Sequence, residues 1–173
     1  MPKHAYVLEQ LVRHRELSDQ EGLARRLARH LAPLPGVRGV ASARGLSVLG
    51  INELFLNSAA DRLEDFMPGQ LLFFEPTVVY RTDPFREPYM QLVIDMPCIL
   101  EHEIQSWLRT KGSEIIATTR GLPRTTLHAL GPLRRLLGCH AELMRLSAAQ
   151  AELEIVFSHY EESTAQAAVV TAS

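Results

Sequence analysis

The stretch FFEPTVVYRTDPFREPYMQLVIDMP, residues Phe73–Pro97, decides how the chain is organised. Two strand-like runs, Leu71–Tyr80 and Tyr89–Met96, flank the turn-rich sequence RTDPFREP. The second run alternates apolar and polar residues, the period-two pattern of a strand with one buried face. Its apolar face is Met90, Leu92, Ile94 and Met96. The two runs are therefore either the arms of one long hairpin or the joint between two domains.

The sequence before this joint predicts the order βαββαβ. A capping-box pattern, Ser18–Glu21, precedes the first helix, and Asn52 is placed to cap the second. The predicted strands are His4–Val12, Val37–Ala43, Leu46–Ile51 and Leu71–Tyr80. Apolar residues at helical spacing give the buried faces of the two helices. These are Leu23, Leu27 and Leu31 in the first, and Phe55, Ala59, Leu63 and Phe66 in the second.

The same order begins again after the joint. A helix from about Ile99 carries Leu100, Ile104, Trp107 and Leu108 at helical spacing. Pro132 suits the first turn of the last helix. The predicted strands are Tyr89–Met96, Ser113–Thr119, Arg124–Leu130 and Ala151–Tyr160. The buried stripe of the last helix is predicted to be Leu133, Leu136, Leu137, His140, Leu143 and Met144.

The repeated order favours a joint over a hairpin, because each βαββαβ unit can close its own sheet. We expect an α+β protein of two tandem ferredoxin-like (βαββαβ) units. Each should be an antiparallel sheet with two helices on one face. The expected boundaries are residues 1–84 and 85–162, followed by a flexible tail over residues 163–173.

Composition narrows the classes of function. The 173 residues carry 18 basic and 20 acidic side chains, so bulk charge would not hold this chain to nucleic acid, and no DNA partner is expected. The two cysteines form no CxxC motif, which suits a reducing compartment. The sequence shows neither a signal peptide nor an apolar run of about 20 residues. We therefore expect a cytoplasmic protein with no membrane contact.

No motif predicts catalysis. The sequence has no Walker A, GxGxxG or GxSxG pattern, so we expect neither an enzyme nor a cofactor. Glu101–Glu103 reads EHE, but adjacent helical residues diverge by about 100° and do not converge on a metal. His140 falls on an apolar stripe and His159 near a strand end, where structural roles are favoured over catalysis.

The basic residues leave two interpretations open. One set lies on the first helix and the other around the end of the third helix and the hairpin after it. The two sets are Arg25, Arg26 and Arg29, and Arg109, Lys111, Arg120 and Arg124. They are either solvated faces or contacts with RNA phosphates or an acidic partner. We expect the second set to converge on one edge, with Lys111 and Arg120 exposed.

Four segments resemble a known family. PLRRLLGCHAELMRLSAAQAELEIVFSHYEE, residues Pro132–Glu162, and REPYMQLVIDMP, residues Arg86–Pro97, are similar to domain V of bacterial elongation factor G and its relatives. LGINELFLNSAADRLEDF, residues Leu49–Phe66, and EPTVVYR, residues Glu75–Arg81, resemble domain III of the same family. Phe55 stands where the family's Gly-Glu-Leu-His-Leu-Glu motif has histidine. In this sequence the two domains are joined directly, without domain IV, and neither the GTPase domain nor domain II accompanies them.

The resemblance implies two ferredoxin-like domains and a non-catalytic module of translation. Because domain V of the family docks near the factor-binding region of the ribosome, we expect binding to the ribosome or to another translation protein. The competing hypothesis is a protein–protein interaction or scaffold module that has diverged from translation. Its sheets would offer edges through which two copies could form a homodimer. A small-molecule sensor is a third hypothesis, but no pocket signature in the sequence supports it.

Overall fold

The computed structural model describes residues 5–82 and 85–162. The chain divides into two compact units, Met1–Val79 and Tyr80–Ser173. Each has an antiparallel sheet with helices on one face, so the expected fold class of two ferredoxin-like units is confirmed. The expected strand start at His4, the boundary at Pro84 and the tail 163–173 lie outside the described residues.

The first unit closes a sheet in the order β2-β3-β1-β4, with β5 also paired to β1. Every pairing is antiparallel. The elements are β1 (Leu8–His14), α1 (Gln20–Leu31), β2 (Val37–Ser42), β3 (Gly45–Gly50), α2 (Glu53–Phe66), β4 (Leu71–Phe73) and β5 (Thr77–Val78). Buried residues of the sheet and of both helices form the core, among them Leu8, Val12, Leu27, Leu46, Leu56 and Leu63.

Helix α1 buries the predicted leucines but is capped by a different residue. The carboxylate of Asp19, not the hydroxyl of Ser18, accepts the Gly22 backbone N–H at 2.9 Å. The helix therefore starts at Gln20, one residue later than the capping box predicted. Gln20 is itself buried, and its Oε1 accepts the His14 backbone N–H at 2.9 Å, which ties the helix start to the end of β1.

Helix α2 confirms the predicted cap and corrects the predicted stripe. Asn52 Oδ1 accepts the Phe55 backbone N–H at 3.2 Å. The buried residues are Leu56, Ala59 and Leu63, whereas Phe55 is half-buried and Phe66 is 43% exposed. Phe55 is one residue out of phase with Leu56, which rotates its side chain by about 100° away from the core.

The predicted strand Leu71–Tyr80 is two short strands, β4 and β5, on either side of Pro76. Proline lacks the N–H that a sheet ladder needs, which explains the interruption. Both strands pair with β1. The stretch quoted above is therefore not one long hairpin, because β4 and β5 belong to the first sheet.

The second unit has the strand order β10-β7-β9-β8. A short strand, β6 (Arg81–Thr82), also pairs with β7. The other elements are β7 (Phe85–Pro97), α3 (Glu101–Thr110), β8 (Glu114–Arg120), β9 (Arg124–Pro132), α4 (Leu133–Leu136), α5 (Cys139–Leu146) and β10 (Glu152–Glu162). A 3-10 turn, Cys98–Leu100, leads into α3.

The central strand β7 carries the apolar face that its alternation predicted. It pairs with β10 on one side and β9 on the other. Its four core side chains are completely buried: Met90, Leu92, Ile94 and Met96. Ile104 and Leu108 of α3 are also completely buried, so the face of the strand is covered by helix as the ferredoxin-like arrangement requires.

The predicted last helix is broken into α4 and α5. Helix α4 ends at Leu136, and Gly138, with φ +74°, precedes α5, so the two helices do not form one continuous apolar stripe. Cys139 is 2% exposed and faces the core with Leu143, whereas His140 is only half-buried. The predicted core position of His140 is therefore wrong, because the break resets which residues face the sheet.

Candidate nucleic-acid interface

The four basic residues of the second predicted set lie at opposite ends of α3. Arg109 is in the last turn of that helix and Lys111 is its C-cap. Arg120 Nη2 and Nε donate to Glu101 Oε1 at 2.7 and 3.0 Å, at the first residue of the helix. A helix of ten residues is about 15 Å long. The expectation that all four side chains converge on one edge is therefore wrong.

Arg120 and Arg124 are engaged with carboxylates of their own unit. The hydrogen bonds from Arg120, and secondarily its charge, hold the pKa of the Glu101 carboxyl below its ordinary value. Arg124 Nε lies 2.7 Å from Asp95 Oδ2, and its Nη2 donates to the Asp95 carbonyl at 3.1 Å. These contacts fix the turn end of the β8–β9 hairpin to neighbouring elements. The charges of both arginines are thereby largely balanced within the fold.

Lys111 is largely buried in a polar network between α3 and α5. Its Nζ lies 2.7 Å from Glu142 Oε1 and 2.6 Å from Oε2. The indole N–H of Trp107 donates to Oε2 at 3.0 Å. Only 18% of the Lys111 side chain is exposed, so its expected exposure is wrong. Hydrogen bonds from Lys111 and then from Trp107 lower the pKa of the Glu142 carboxyl.

The lowered pKa of Glu142 predicts a pH-dependent contribution to stability. Because the folded-state pKa lies below the ordinary 4.5, the contribution is present above that value and is lost as pH falls through the folded pKa. Glu142→Gln should lower the free energy of unfolding by about 1 kcal/mol at neutral pH, a figure that allows for solvent screening. Chemical denaturation monitored by Trp107 fluorescence at neutral and acid pH measures this difference.

The difference between Glu142→Gln and the parent should shrink as the pH drops below 4.5. Glu103→Gln is the matched control, since Glu103 is exposed on α3 and forms no ion pair in the described part of the chain. A difference that stays constant at acid pH, or an equal loss in the control, would contradict the role given to the Glu142 carboxylate.

The structure adds an arginine that the sequence pattern did not single out. A Cβ built on Gly112 would meet Arg135 Nη1 at 2.9 Å, so this guanidinium lies beside the end of α3. Arg135 thus joins Arg109 and Lys111 at this end of the helix. Arg109 and Arg135 are exposed. The sequence does show that Arg135 lies off the apolar stripe of its helix. It does not show that Arg135 lies beside the end of α3, because that contact joins residues far apart in the sequence.

In the first unit, the stripe of Arg25, Arg26 and Arg29 is exposed as its spacing predicts. Arg25 forms an ion pair with Glu21 one turn earlier. Arg26 and Arg29 form no ion pair among residues 5–82 and 85–162. The geometry leaves two guanidiniums free to contact an anionic partner, and that contact remains a prediction.

The open face of the first sheet presents apolar side chains. Val40, Ser47 and Leu11 are adjacent in register across three strands, and the Phe74 backbone N–H donates to the Leu11 carbonyl at 2.9 Å. Val40 and Phe74 are 40% and 44% exposed. A shallow groove of about 430 Å³ lies on this face. Its lining includes Glu9, Leu11, Arg44, Ser47, Phe74 and Glu75.

The described residues offer no clustered metal ligands. Within 5–82 and 85–162, no group of three or more His, Cys, Asp or Glu side chains is close enough to hold an ion. Glu101 is instead hydrogen-bonded to Arg120 and Gln105. A search of the same residues for a helix long and apolar enough to cross a membrane finds none.

Comparison with known proteins relates the chain to one family model and to solved structures. Residues 85–169 match the family model described as elongation factor G C-terminus. The fold resembles a crystal structure of a protein from Thermus thermophilus, with a TM-score of 0.61 and 13% identity. That likeness covers 94% of this chain but 41% of the other, so the chain spans about two fifths of its length. At this identity it concerns the fold alone. No curated protein matches the sequence.

Proposed function

Residues 85–169 belong to the elongation factor G C-terminus family, and from this premise we propose that the chain is a non-catalytic, translation-factor-like module that binds the ribosome. The family match is the observation that carries the proposal, because it covers nearly all of the second unit. The factor-binding region of the ribosome is the expected site. The activity of the module is binding, performed in the cytoplasm without a cofactor.

The exposed arginines support contact with RNA phosphates. The net charge is −2, so long-range attraction is weak and affinity must come from local contacts. The residues of the two predicted basic sets that are exposed and form no ion pair in the described residues, together with the neighbouring Arg135, are suited to this: Arg26, Arg29, Arg109 and Arg135. Four phosphate contacts give a slope of log affinity against log salt of about −3.

Co-sedimentation with ribosomes at low and high salt tests the proposal. We expect the chain to pellet with ribosomes at low salt and to be released at high salt. A variant with Gln at Arg26, Arg29, Arg109 and Arg135 should lose most of the pelleted fraction, because each lost phosphate contact reduces the number of counterions released on binding. Lys111 and Arg120 are poor choices for this test, since both are bonded to carboxylates.

The matched control changes four exposed arginines of the first unit that lie outside the α1 stripe. They are Arg13, Arg15, Arg38 and Arg44. The control has the same net charge as the test variant and should pellet like the parent. Absence of pelleting in the parent, or equal losses in the two variants, would refute ribosome binding through the proposed arginines.

A scaffold function is the second candidate, favoured by the open face of the first sheet. Val40, Leu72 and Phe74 are exposed there by 40% or more. An exposed apolar face of this kind is typical of surfaces that contact another protein. Pull-down of a translation protein that resists high salt, together with no ribosome pelleting, would support this function over the first.

A further inference from the structure

The second unit begins with a short strand pair that carries two arginines facing each other. Strands β6 and β7 pair antiparallel, with Arg81 opposite Arg86 and Thr82 opposite Phe85. Side chains directly opposite in an antiparallel pair lie on the same face, with Cβ atoms about 5 Å apart. The register therefore brings two positive charges together on one face of the hairpin.

Neither guanidinium forms an ion pair with a carboxylate among residues 5–82 and 85–162. The Nε of Arg86 is buried and has no hydrogen-bond partner. Opposed like charges and an unsatisfied buried donor are both unfavourable. An anion bound between the two arginines would relieve the repulsion between their charges.

An aromatic ring lies beside the arginine pair. Tyr160 of β10 is opposite Pro88, and Pro88 shares a face of β7 with Arg86 because the two are separated by two residues. The guanidinium carbon of Arg81 lies 4.4 Å from the centroid of the Tyr160 ring. Phe157 packs against the same ring at 5.1 Å. Stacking orients the guanidinium plane and leaves its edge donors free for a ligand.

We propose that Arg81, Arg86 and Tyr160 form a binding site for a phosphate of unpaired RNA. Two planar guanidiniums match the oxygens of a phosphodiester, and the Tyr160 ring holds the Arg81 guanidinium in place for that contact. The inference rests on the proposed ribosome binding, which it deepens by naming the RNA backbone as ligand. Glu162 is opposite Arg86 and lowers the positive charge of the site.

The full chain with a short fluorescent single-stranded RNA tests the site by fluorescence anisotropy over a range of salt concentrations. Arg81→Gln with Arg86→Gln should weaken binding and make the salt slope shallower by about 1.4, at about 0.7 for each phosphate contact. Glu162→Gln should strengthen binding, because it removes a negative charge opposite Arg86. Tyr160→Phe should bind like the parent, and Tyr160→Ala should bind more weakly.

Arg13→Gln with Arg38→Gln is the control for charge, since both arginines are exposed on the first sheet. Circular dichroism verifies that every variant is folded. Three results would overturn the proposal. They are equal weakening in the two double variants, no effect of Glu162→Gln, and a chain that binds inorganic polyphosphate but does not bind RNA. RNA binding that depends on Arg81 and Arg86 in a chain that does not pellet with ribosomes would uphold the site and refute the ribosomal function.

Discussion

Replacing Leu92 by alanine should lower the free energy of unfolding of the second unit by about 2–5 kcal/mol. Leu92 is completely buried on β7, the strand that pairs with both β9 and β10. Truncation removes apolar contacts and leaves a cavity. Strand β7 cannot shift to close this cavity, because it is hydrogen-bonded to a strand on each side. Trp107 is the single tryptophan and lies in the second unit, so its fluorescence during denaturation reports this unit.

Gln91→Ala is the matched control for this loss, because Gln91 is the exposed neighbour of Leu92 on the same strand. It should change the free energy of unfolding by less than about 0.5 kcal/mol. Comparable losses in Leu92→Ala and Gln91→Ala would show that burial on β7 does not determine the stability of this unit.

Replacing Gly45 by alanine should destabilise the first unit by about 3 kcal/mol. Gly45 has φ +126°, a region in which residues with a Cβ are strained. A Cβ at this position would lie 2.6 Å from the backbone carbonyl oxygen of Val12. That oxygen belongs to a strand paired with β3, so it cannot move away without breaking the ladder. Far-UV circular dichroism during denaturation measures the loss.

Gly69→Ala separates the effect of the backbone angle from the effect of the clash. Gly69 also has a positive φ, +69°, but nothing lies within 4 Å of a Cβ built there. It should lose only about 1 kcal/mol. If the units unfold independently, Gly45→Ala will leave the Trp107 fluorescence transition unchanged. Equal losses in the two glycine variants would contradict the argument from the Val12 oxygen.

The architecture could be predicted because it follows from local patterns. The alternation on β7 and the leucine spacing on α1 each specify an element and its buried face without long-range information. One error in the predicted elements arose where either of two adjacent residues could have capped the helix. Ser18 and Asp19 can each cap a helix, and only the packing of Gln20 against β1 decides between them. Periodicity also assumed an unbroken last helix, which Gly138 prevents.

The candidate site was less predictable, because it depends on which distant elements lie next to the ends of the strands. Strand β8 leaves the C-terminal end of α3 and runs for seven residues, about 23 Å. It therefore returns Arg120 to the beginning of α3, next to Glu101. Arg135 reaches the end of α3 instead. The opposition of Arg81 and Arg86 was equally hidden, since it requires the register of the β6–β7 hairpin.

The break at Gly138 also sets how accessible one of the two thiols is. Because the break turns Cys139 into the core, this sulfur is shielded from solutes in the folded unit. Cys98, in the turn before α3, is exposed. Thiol reagents can reach Cys98 in the native state, but they reach Cys139 only when the second unit opens. The rate at which a reagent modifies Cys139 therefore reports how often the second unit opens. Cys98, some forty positions earlier in the sequence, is the exposed thiol against which that rate is compared.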